Sequence, residues 1–209
     1  MADAGSRVRN ASAQLSVDPL KDSQLRHAFE DYLQRRSPRP AAILHELRVS
    51  RGNAVADVVA LFRNPHCFEI KGQTDSVRRV LRQSSYYSLS FRRLTLITTR
   101  NHERWAMKNL PDCWGLIVAA QRPCGISFHH VRPATFNRDF CPEVAFALLW
   151  REELSTLVSA RQPGAVRTAH TRADLARMAA TLYSTLEVPR EISRCLSERR
   201  AAKPINHEG

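Results

Sequence analysis

The stretch that decides the fold reads AVADVVALFRNPHCFEIK and covers residues 54–71. Its first half is apolar and rich in β-branched side chains, apart from Asp57, which is typical of a buried strand. A turn made of Arg, Asn, Pro and His follows, and residues 67–71 return as a second short strand. The stretch therefore predicts a hairpin that carries one acidic residue on each strand, Asp57 and Glu69.

The segments around this hairpin alternate between helical and extended patterns. Leu25, Phe29 and Leu33 recur every four residues and predict an amphipathic helix over 23–34. Residues 41–49 are apolar and fit either a helix end or a strand. After the hairpin, the pattern predicts a helix over 75–88, a strand over 94–98, a helix over 102–109, and strands over 115–119 and 125–131. Such alternation predicts an α/β fold with a mixed sheet core flanked by helices.

The chain divides into three predicted parts. Residues 1–22 mix small and polar side chains and predict a flexible N-terminal tail. Residues 23–135 form the α/β core. Residues 136–209 form a helical C-terminal extension, with helices predicted over 142–160, 171–186 and 189–200. Thr171 and Asp174 have the spacing of a capping box at the start of the second of these helices.

Composition excludes several classes of protein. The 209 residues are 43% hydrophobic, which fits one globular domain with an appendage and excludes a large multidomain protein. The longest apolar run, residues 114–120, is too short to cross a bilayer, and we expect neither a signal peptide nor a membrane partner. Five cysteines without a C-x-x-C pair argue against a disulfide framework and a cysteine zinc site. The expected compartment is the cytoplasm.

Net charge points to a polyanionic partner. The chain has 32 Lys and Arg residues against 20 Asp and Glu residues, a formal charge of +12. An excess of this size favours nucleic acid, although a charge run on a helix is usually a solvated face. Arg78, Arg79 and Arg82 lie on the helix predicted after the hairpin, and we expect them to contact a phosphate backbone.

Three residues of the hairpin have the chemistry of metal-assisted phosphodiester hydrolysis. Glu69 and Lys71 are two residues apart on one strand, so their side chains share a face. Together with Asp57 on the neighbouring strand, Glu69 offers the hard oxygen ligands that Mg²⁺ prefers. The lysine would place a positive charge beside the reacting phosphate. The alternative is a pair of surface carboxylates, with Lys71 as the ion-pair partner of Glu69.

Further candidates flank the hairpin. Glu46 precedes it and could reach a metal directly or through water, or could simply be a solvated carboxylate at the end of an element. Gln83 and Tyr87 are four residues apart on the predicted helix and share a face. They could also be ordinary helix residues that form hydrogen bonds to the sheet.

At these positions the sequence resembles the PD-(D/E)XK phosphodiesterase superfamily. The matching residues are Glu46, Asp57, the Glu69-Ile70-Lys71 triplet, and Gln83 with Tyr87, and the resemblance covers residues 24–120. It is nearest to small bacterial and phage-borne members that have the E-I-K and Q-x-x-x-Y motifs. The resemblance implies a restriction-endonuclease-like fold, in which Asp57, Glu69 and the Ile70 carbonyl hold the metal. Lys71 then stabilises charge, and Gln83 and Tyr87 organise the site.

These observations predict a Mg²⁺-dependent nuclease that acts on nucleic acid, with Mn²⁺ as a substitute metal. DNA is expected as the substrate rather than RNA, but the sequence leaves that choice open. Two alternatives stay open. One is a non-cleaving nucleic-acid-binding module of the same fold, and the other is a phage or defence accessory protein that binds another protein. The sequence also leaves a homodimer open.

Overall fold

The computed structural model describes residues 18–202, and only the backbone of Arg51 within them. Most of the predicted tail, residues 1–17, lies outside the described residues. The rest of that segment is folded, because Leu20 is buried and the first helix begins at Asp22. The first helix therefore starts at the last residue of the predicted tail.

The described chain forms six strands and seven helices in an α/β arrangement. In chain order they are α1 (Asp22–Arg35), β1 (Ala42–Val49), a 3₁₀ turn (Ser50–Gly52), β2 (Ala54–Leu61), β3 (Pro65–Ile70), α2 (Arg78–Ser90), β4 (Arg93–Thr99), α3 (Arg100–Asn109), β5 (Gly115–Arg122), β6 (Gly125–Arg132), α4 (Pro142–Phe146), α5 (Arg151–Arg161), α6 (Arg172–Leu182) and α7 (Val188–Ala202). Over residues 18–202, none of these helices has both the length and the apolarity needed to cross a membrane.

The six strands form one mixed sheet in the order of the chain. β1, β2 and β3 are antiparallel, β3, β4 and β5 are parallel, and β6 is antiparallel to β5. Parallel neighbours need crossover connections, which α2 and α3 supply. The predicted fold class and hairpin are confirmed, and the ambiguous segment 41–49 is the edge strand β1.

Each face of the sheet packs against a different set of helices. On one face, α1 buries Leu25, Phe29 and Leu33 against strand residues such as Phe68 and Ile70. The other helices cover the opposite face. Their buried residues and those of the strands form one larger hydrophobic cluster there. The C-terminal helices contribute Phe146, Leu154, Leu175 and Ile192 to this cluster. α7 packs on β2 and β3, whereas α4, α5 and α6 pack mainly on other helices.

The C-terminal helices differ in length from the prediction. The single helix expected over 142–160 is wrong, because α4 ends at Phe146 and α5 starts at Arg151. Leu148 and Leu149 in the break are buried, so the chain turns to place both in the core. The helix expected to reach residue 186 ends at Leu182. The capping box is confirmed, because the Asp174 backbone N–H donates to the Thr171 hydroxyl and the Thr171 backbone N–H donates to the Asp174 carboxylate.

His66 lies at the start of β3 and contacts two neighbouring side chains. The ring of His66 stacks on Phe68 with ring centroids 4.1 Å apart, and its Nε2 lies 2.8 Å from Thr95 Oγ1. Burial of the ring, together with the positive charges of Arg93 and Arg36, lowers the pKa of His66 to about 3. The folded protein therefore keeps this histidine neutral in mild acid.

We expect His66 to make the protein less stable as the pH falls from 6.5 towards about 3. In this window the unfolded chain binds a proton at His66 and the folded protein does not. Each pH unit then removes up to about 1.4 kcal/mol from the free energy of unfolding. His66→Phe keeps the stacking and removes the titration, so the free energy of unfolding of the variant falls less steeply in acid. Denaturant unfolding followed by circular dichroism measures both pH profiles, and parallel profiles would contradict this role.

Candidate functional site

Asp57 lies where the hairpin strands part. β2 and β3 pair as far as Val58 and Phe68, and beyond that point the Asp57 side chain takes over from the backbone ladder. Its Oδ2 accepts a hydrogen bond of 2.9 Å from the backbone N–H of Ile70. The carboxylate of Asp57 is thereby fixed against the residue that separates Glu69 from Lys71.

The Lys71 ammonium joins the acidic residues of both strands. Its Nζ lies 2.7 Å from Glu69 Oε1 and 3.7 Å from Asp57 Oδ2, and it donates to the Ile70 carbonyl oxygen at 2.9 Å. Strand periodicity and pairing predicted that these side chains meet, and the structure brings them together. One cation therefore contacts the three groups that the resemblance assigns to a metal.

Glu69 occupies a nearly dry position. It is 2% exposed, and its Oε2 is buried without a hydrogen-bond partner among the described residues. Burial, and then the charge of Asp57, raise the pKa of Glu69. Burial alone would lower the pKa of Lys71, but the carboxylates of Glu69 and Asp57 raise it above its ordinary value. The ammonium of Lys71 opposes the rise in the pKa of Glu69 but does not outweigh burial, whereas the two carboxylates favour the charged form of Lys71.

Arg26 on α1 completes the charge balance, and no local sequence pattern indicated its role. Its two terminal nitrogens each lie 3.4 Å from a carboxylate oxygen, one of Glu46 and the other of Asp57. Glu46 adopts a φ of 50°, a left-handed conformation that is uncommon for a residue other than glycine. Because His45 and Leu47 pair with Val58 and Ala56, this irregular residue lies beside Asp57. The structure therefore places Glu46 near Asp57, and the Arg26 guanidinium contacts both carboxylates.

A close approach of the chain to Gly72 positions α1 for this contact. A Cβ atom on Gly72 would lie 2.8 Å from both the Leu20 carbonyl oxygen and the Asp22 backbone nitrogen, so only glycine fits here. The backbone N–H of Gln73 donates to the Leu20 carbonyl, and that of Gly72 donates to the Asp75 carboxylate. The start of α1 is therefore fixed against the residue that follows Lys71.

On α2, the two predicted site residues lie in different environments. Tyr87 is fully buried, and its hydroxyl donates to the Val55 carbonyl oxygen at 2.8 Å. Burial, and then the charge of Glu69, raise the pKa of Tyr87. Gln83, one turn earlier, is half-buried on the same helix. Tyr87 therefore braces β2 near the carboxylates.

The predicted phosphate-binding arginines lie on the outer surface of α2. Arg78, Arg79 and Arg82 are all exposed, and none forms an ion pair with another described residue. Their contact with nucleic acid stays a prediction, as does the solvated-face alternative.

The donor atoms at the hairpin fit a hard divalent cation in part. Within residues 18–202, no cluster of three or more His, Cys, Asp or Glu side chains is arranged to hold a metal. Asp57, Glu69 and the Ile70 carbonyl nevertheless offer oxygen ligands at one place, and Glu69 Oε2 has a lone pair without a partner. Mg²⁺ is commonly bound by one or two carboxylates with water and substrate phosphate, and the donor set here is of that kind.

Comparison with known proteins adds a family to this geometry. The family described as Bacteriophage P4 protein cII matches residues 17–203. The chain belongs to this family. No curated protein matches it. Among solved structures, the SPO1766 protein of unknown function from Silicibacter pomeroyi is similar, with 16% sequence identity, coverage of 62% of this chain and 85% of that chain, and a TM-score of 0.38. The P4 cII description specifies a phage protein and no activity, so the nuclease stays a prediction from the residues.

We expect Tyr87→Phe to lower the free energy of unfolding by about 1 kcal/mol, because the Val55 carbonyl loses its hydroxyl donor. Tyr86→Phe removes the same atom from the neighbouring, half-buried tyrosine and is the matched control. Its effect should stay within about 0.5 kcal/mol. Denaturant unfolding of both variants measures the difference, and equal effects would show that Tyr87 does not brace β2.

Proposed function

We propose that this protein is a divalent-metal-dependent nuclease that hydrolyses phosphodiester bonds of nucleic acid, with DNA as the expected substrate. The observation that carries the proposal is the meeting of Asp57, Glu69 and Lys71 at the open end of the hairpin. The unpartnered, buried oxygen of Glu69 supports it, because a buried acceptor normally has a partner. The PD-(D/E)XK superfamily, which the sequence resembles, uses the same residue types in the same order.

Asp57, Glu69 and the Ile70 carbonyl would hold the metal, with Mg²⁺ as the expected ion and Mn²⁺ as its substitute. A bound Mg²⁺ acts as a Lewis acid towards phosphate and lowers the pKa of a coordinated water. Glu46 stays a candidate ligand, although Arg26 contacts its carboxylate in this structure.

The chain's own residues supply position and charge. The Ile70 N–H fixes the orientation of the Asp57 carboxylate, and Lys71 fixes that of Glu69. The ammonium of Lys71 lies next to both carboxylates, where it can stabilise the negative charge that develops on a phosphate under attack by water. Asp57 and Lys71 are each about one-fifth exposed, so solvent reaches the site at these two side chains, whereas Glu69 is covered.

A non-cleaving nucleic-acid-binding module is the second candidate. It is favoured by the charge balance of the site, because Lys71 and Arg26 together already neutralise Asp57 and Glu69 without a metal. A phage accessory protein that binds another protein is the third alternative. The phage family agrees with all three.

We expect the wild-type protein to cleave DNA only when Mg²⁺ or Mn²⁺ is added. Asp57→Asn should abolish cleavage, because a single carboxylate holds Mg²⁺ poorly. Lys71→Ala should lower turnover by roughly 10²- to 10³-fold with little change in substrate affinity, since the lysine acts on charge that develops during the reaction. The measurement is cleavage of single-stranded and duplex DNA and of RNA, beside binding, across a metal titration.

Controls keep this experiment interpretable. Lys71→Ala removes a cation from a buried carboxylate, so its folding is checked first, and Lys71→Arg provides a variant that keeps the charge. Lys108→Ala changes an exposed lysine on α3 and should retain full activity. Wild-type protein that binds nucleic acid without any divalent-dependent cleavage would establish the binding module. Absence of binding to every nucleic acid would favour the accessory protein.

A further inference from the structure

Three adjacent cavities that share lining residues lie beside the edge strand β1, and together we call them the trough. Its first section, of about 560 Å³, lies between the 3₁₀ turn, α2, α4 and the start of α6. The second, of about 440 Å³, shares Ala147 and Arg172 with the first. The third, of about 320 Å³, lies between β1 and α7. The residues common to the second and third sections are Leu47, Arg48, Trp150 and Arg199.

The walls of the trough carry an excess of positive charge. Arg48, Arg172 and Arg200 line it and are exposed, and in the described part of the chain no carboxylate pairs with them. The two acidic side chains on its walls are already paired, Glu46 with Arg26 and Glu143 with Arg177. The free charge of the trough is therefore cationic and suits an extended polyanion.

Trp150 stands in the trough as a fixed and exposed aromatic ring. It is 47% exposed, although tryptophan is usually well buried. The guanidinium of Arg199 lies 4.1 Å from the centroid of its ring, and Arg199 is in turn held by an ion pair with Glu153. The backbone N–H of Trp150 donates to the same Glu153 side chain. The indole is therefore held in place beside the cations while about half of the residue remains open.

One residue of the trough, Glu46, is linked to the candidate catalytic site. Glu46 lines its third section, and Arg26 binds both Glu46 and Asp57. Asp57, Glu69 and Lys71 line none of the three sections, so the trough is connected to the carboxylate pair through Arg26.

We propose that the trough binds single-stranded nucleic acid, with a base stacked on Trp150 and phosphates on Arg48, Arg172 and Arg200. A single strand fits better than a duplex, because unpaired bases are free to stack on an aromatic ring and duplex bases already stack on each other. Three arginines around one exposed aromatic ring are the combination that such binding uses. Binding of a single strand in the trough does not require cleavage. The inference rests on the proposed nuclease only in one respect, namely that the bound strand would be the substrate of that enzyme.

The test is fluorescence anisotropy of a labelled oligothymidylate of about 20 nucleotides with the full chain, in chelator to prevent cleavage. We expect tighter binding of this strand than of a duplex of equal length. Trp150→Ala should weaken single-strand binding about 10-fold and leave the weaker duplex binding nearly unchanged. The triple variant Arg48→Gln/Arg172→Gln/Arg200→Gln should lower the salt dependence by about two units, at roughly 0.7 per phosphate contact.

The matched control is Arg100→Gln/Arg104→Gln/Lys108→Gln, which removes equal charge from the exposed side of α3, away from the trough. If both triple variants lose equal affinity for the single strand, the binding is general electrostatic attraction and the trough is not the binding site. Tighter binding of the duplex than of the single strand would also contradict the proposal, as would single-strand affinity that does not change in Trp150→Ala. Light scattering that shows a dimer dependent on Trp150 would assign the trough to a second copy of the chain.

Cleavage assays on the same variants separate this inference from the proposed function. Trough-dependent binding without divalent-dependent cleavage supports the trough and contradicts the nuclease. Cleavage of DNA that is unaffected by Trp150→Ala and by the trough triple variant supports the nuclease and contradicts the trough.

Discussion

The contact between the Lys71 ammonium and the buried Glu69 carboxylate is the constraint on which the rest of the site depends. A carboxylate that is 2% exposed costs several kcal/mol unless it is paired, and Lys71 Nζ at 2.7 Å supplies the pairing. The ammonium reaches Glu69 because the two residues share a strand face, and it reaches Asp57 because β2 and β3 part at that point. Arg26 then balances the remaining charge of Asp57. The hairpin, the helix α1 and the close approach of the chain at Gly72 are therefore all arranged around Asp57 and Glu69.

The same contact sets the cation-binding properties of the site. Lys71 Nζ touches Glu69 and the Ile70 carbonyl, which are two of the three proposed metal ligands. An ammonium and a divalent cation would therefore compete for the same oxygens, and Lys71 would have to move towards solvent or substrate to admit a metal. The unpartnered Glu69 Oε2 is the oxygen that does not depend on this exchange. Polar groups that are buried and incompletely satisfied are a cost to stability that proteins tolerate mainly at functional sites.

Local pattern was sufficient for the hairpin and insufficient for contacts between distant segments. Apolar runs and turn residues predicted β2 and β3, and the period of a strand predicted that Glu69 and Lys71 share a face. Arg26 could not be found in this way, because it lies 31 residues from Asp57 and its role depends on the close approach at Gly72. The break between α4 and α5 was missed because Leu148 and Leu149 continue an apolar run. Only tertiary packing decides that they leave the helix to enter the core.

The location of useful positive charge is also a tertiary property. The sequence shows a run of arginines at 78–82, and such a run attracts attention because its members are neighbours. Arg48, Arg172 and Arg200 are far apart in the chain, yet the fold collects them in one trough around Trp150. Phosphate contacts give affinity in either place, but only the trough adds an aromatic surface on which an unpaired base can stack. A binding site for a single strand therefore depends less on the number of charges than on their position next to an exposed ring.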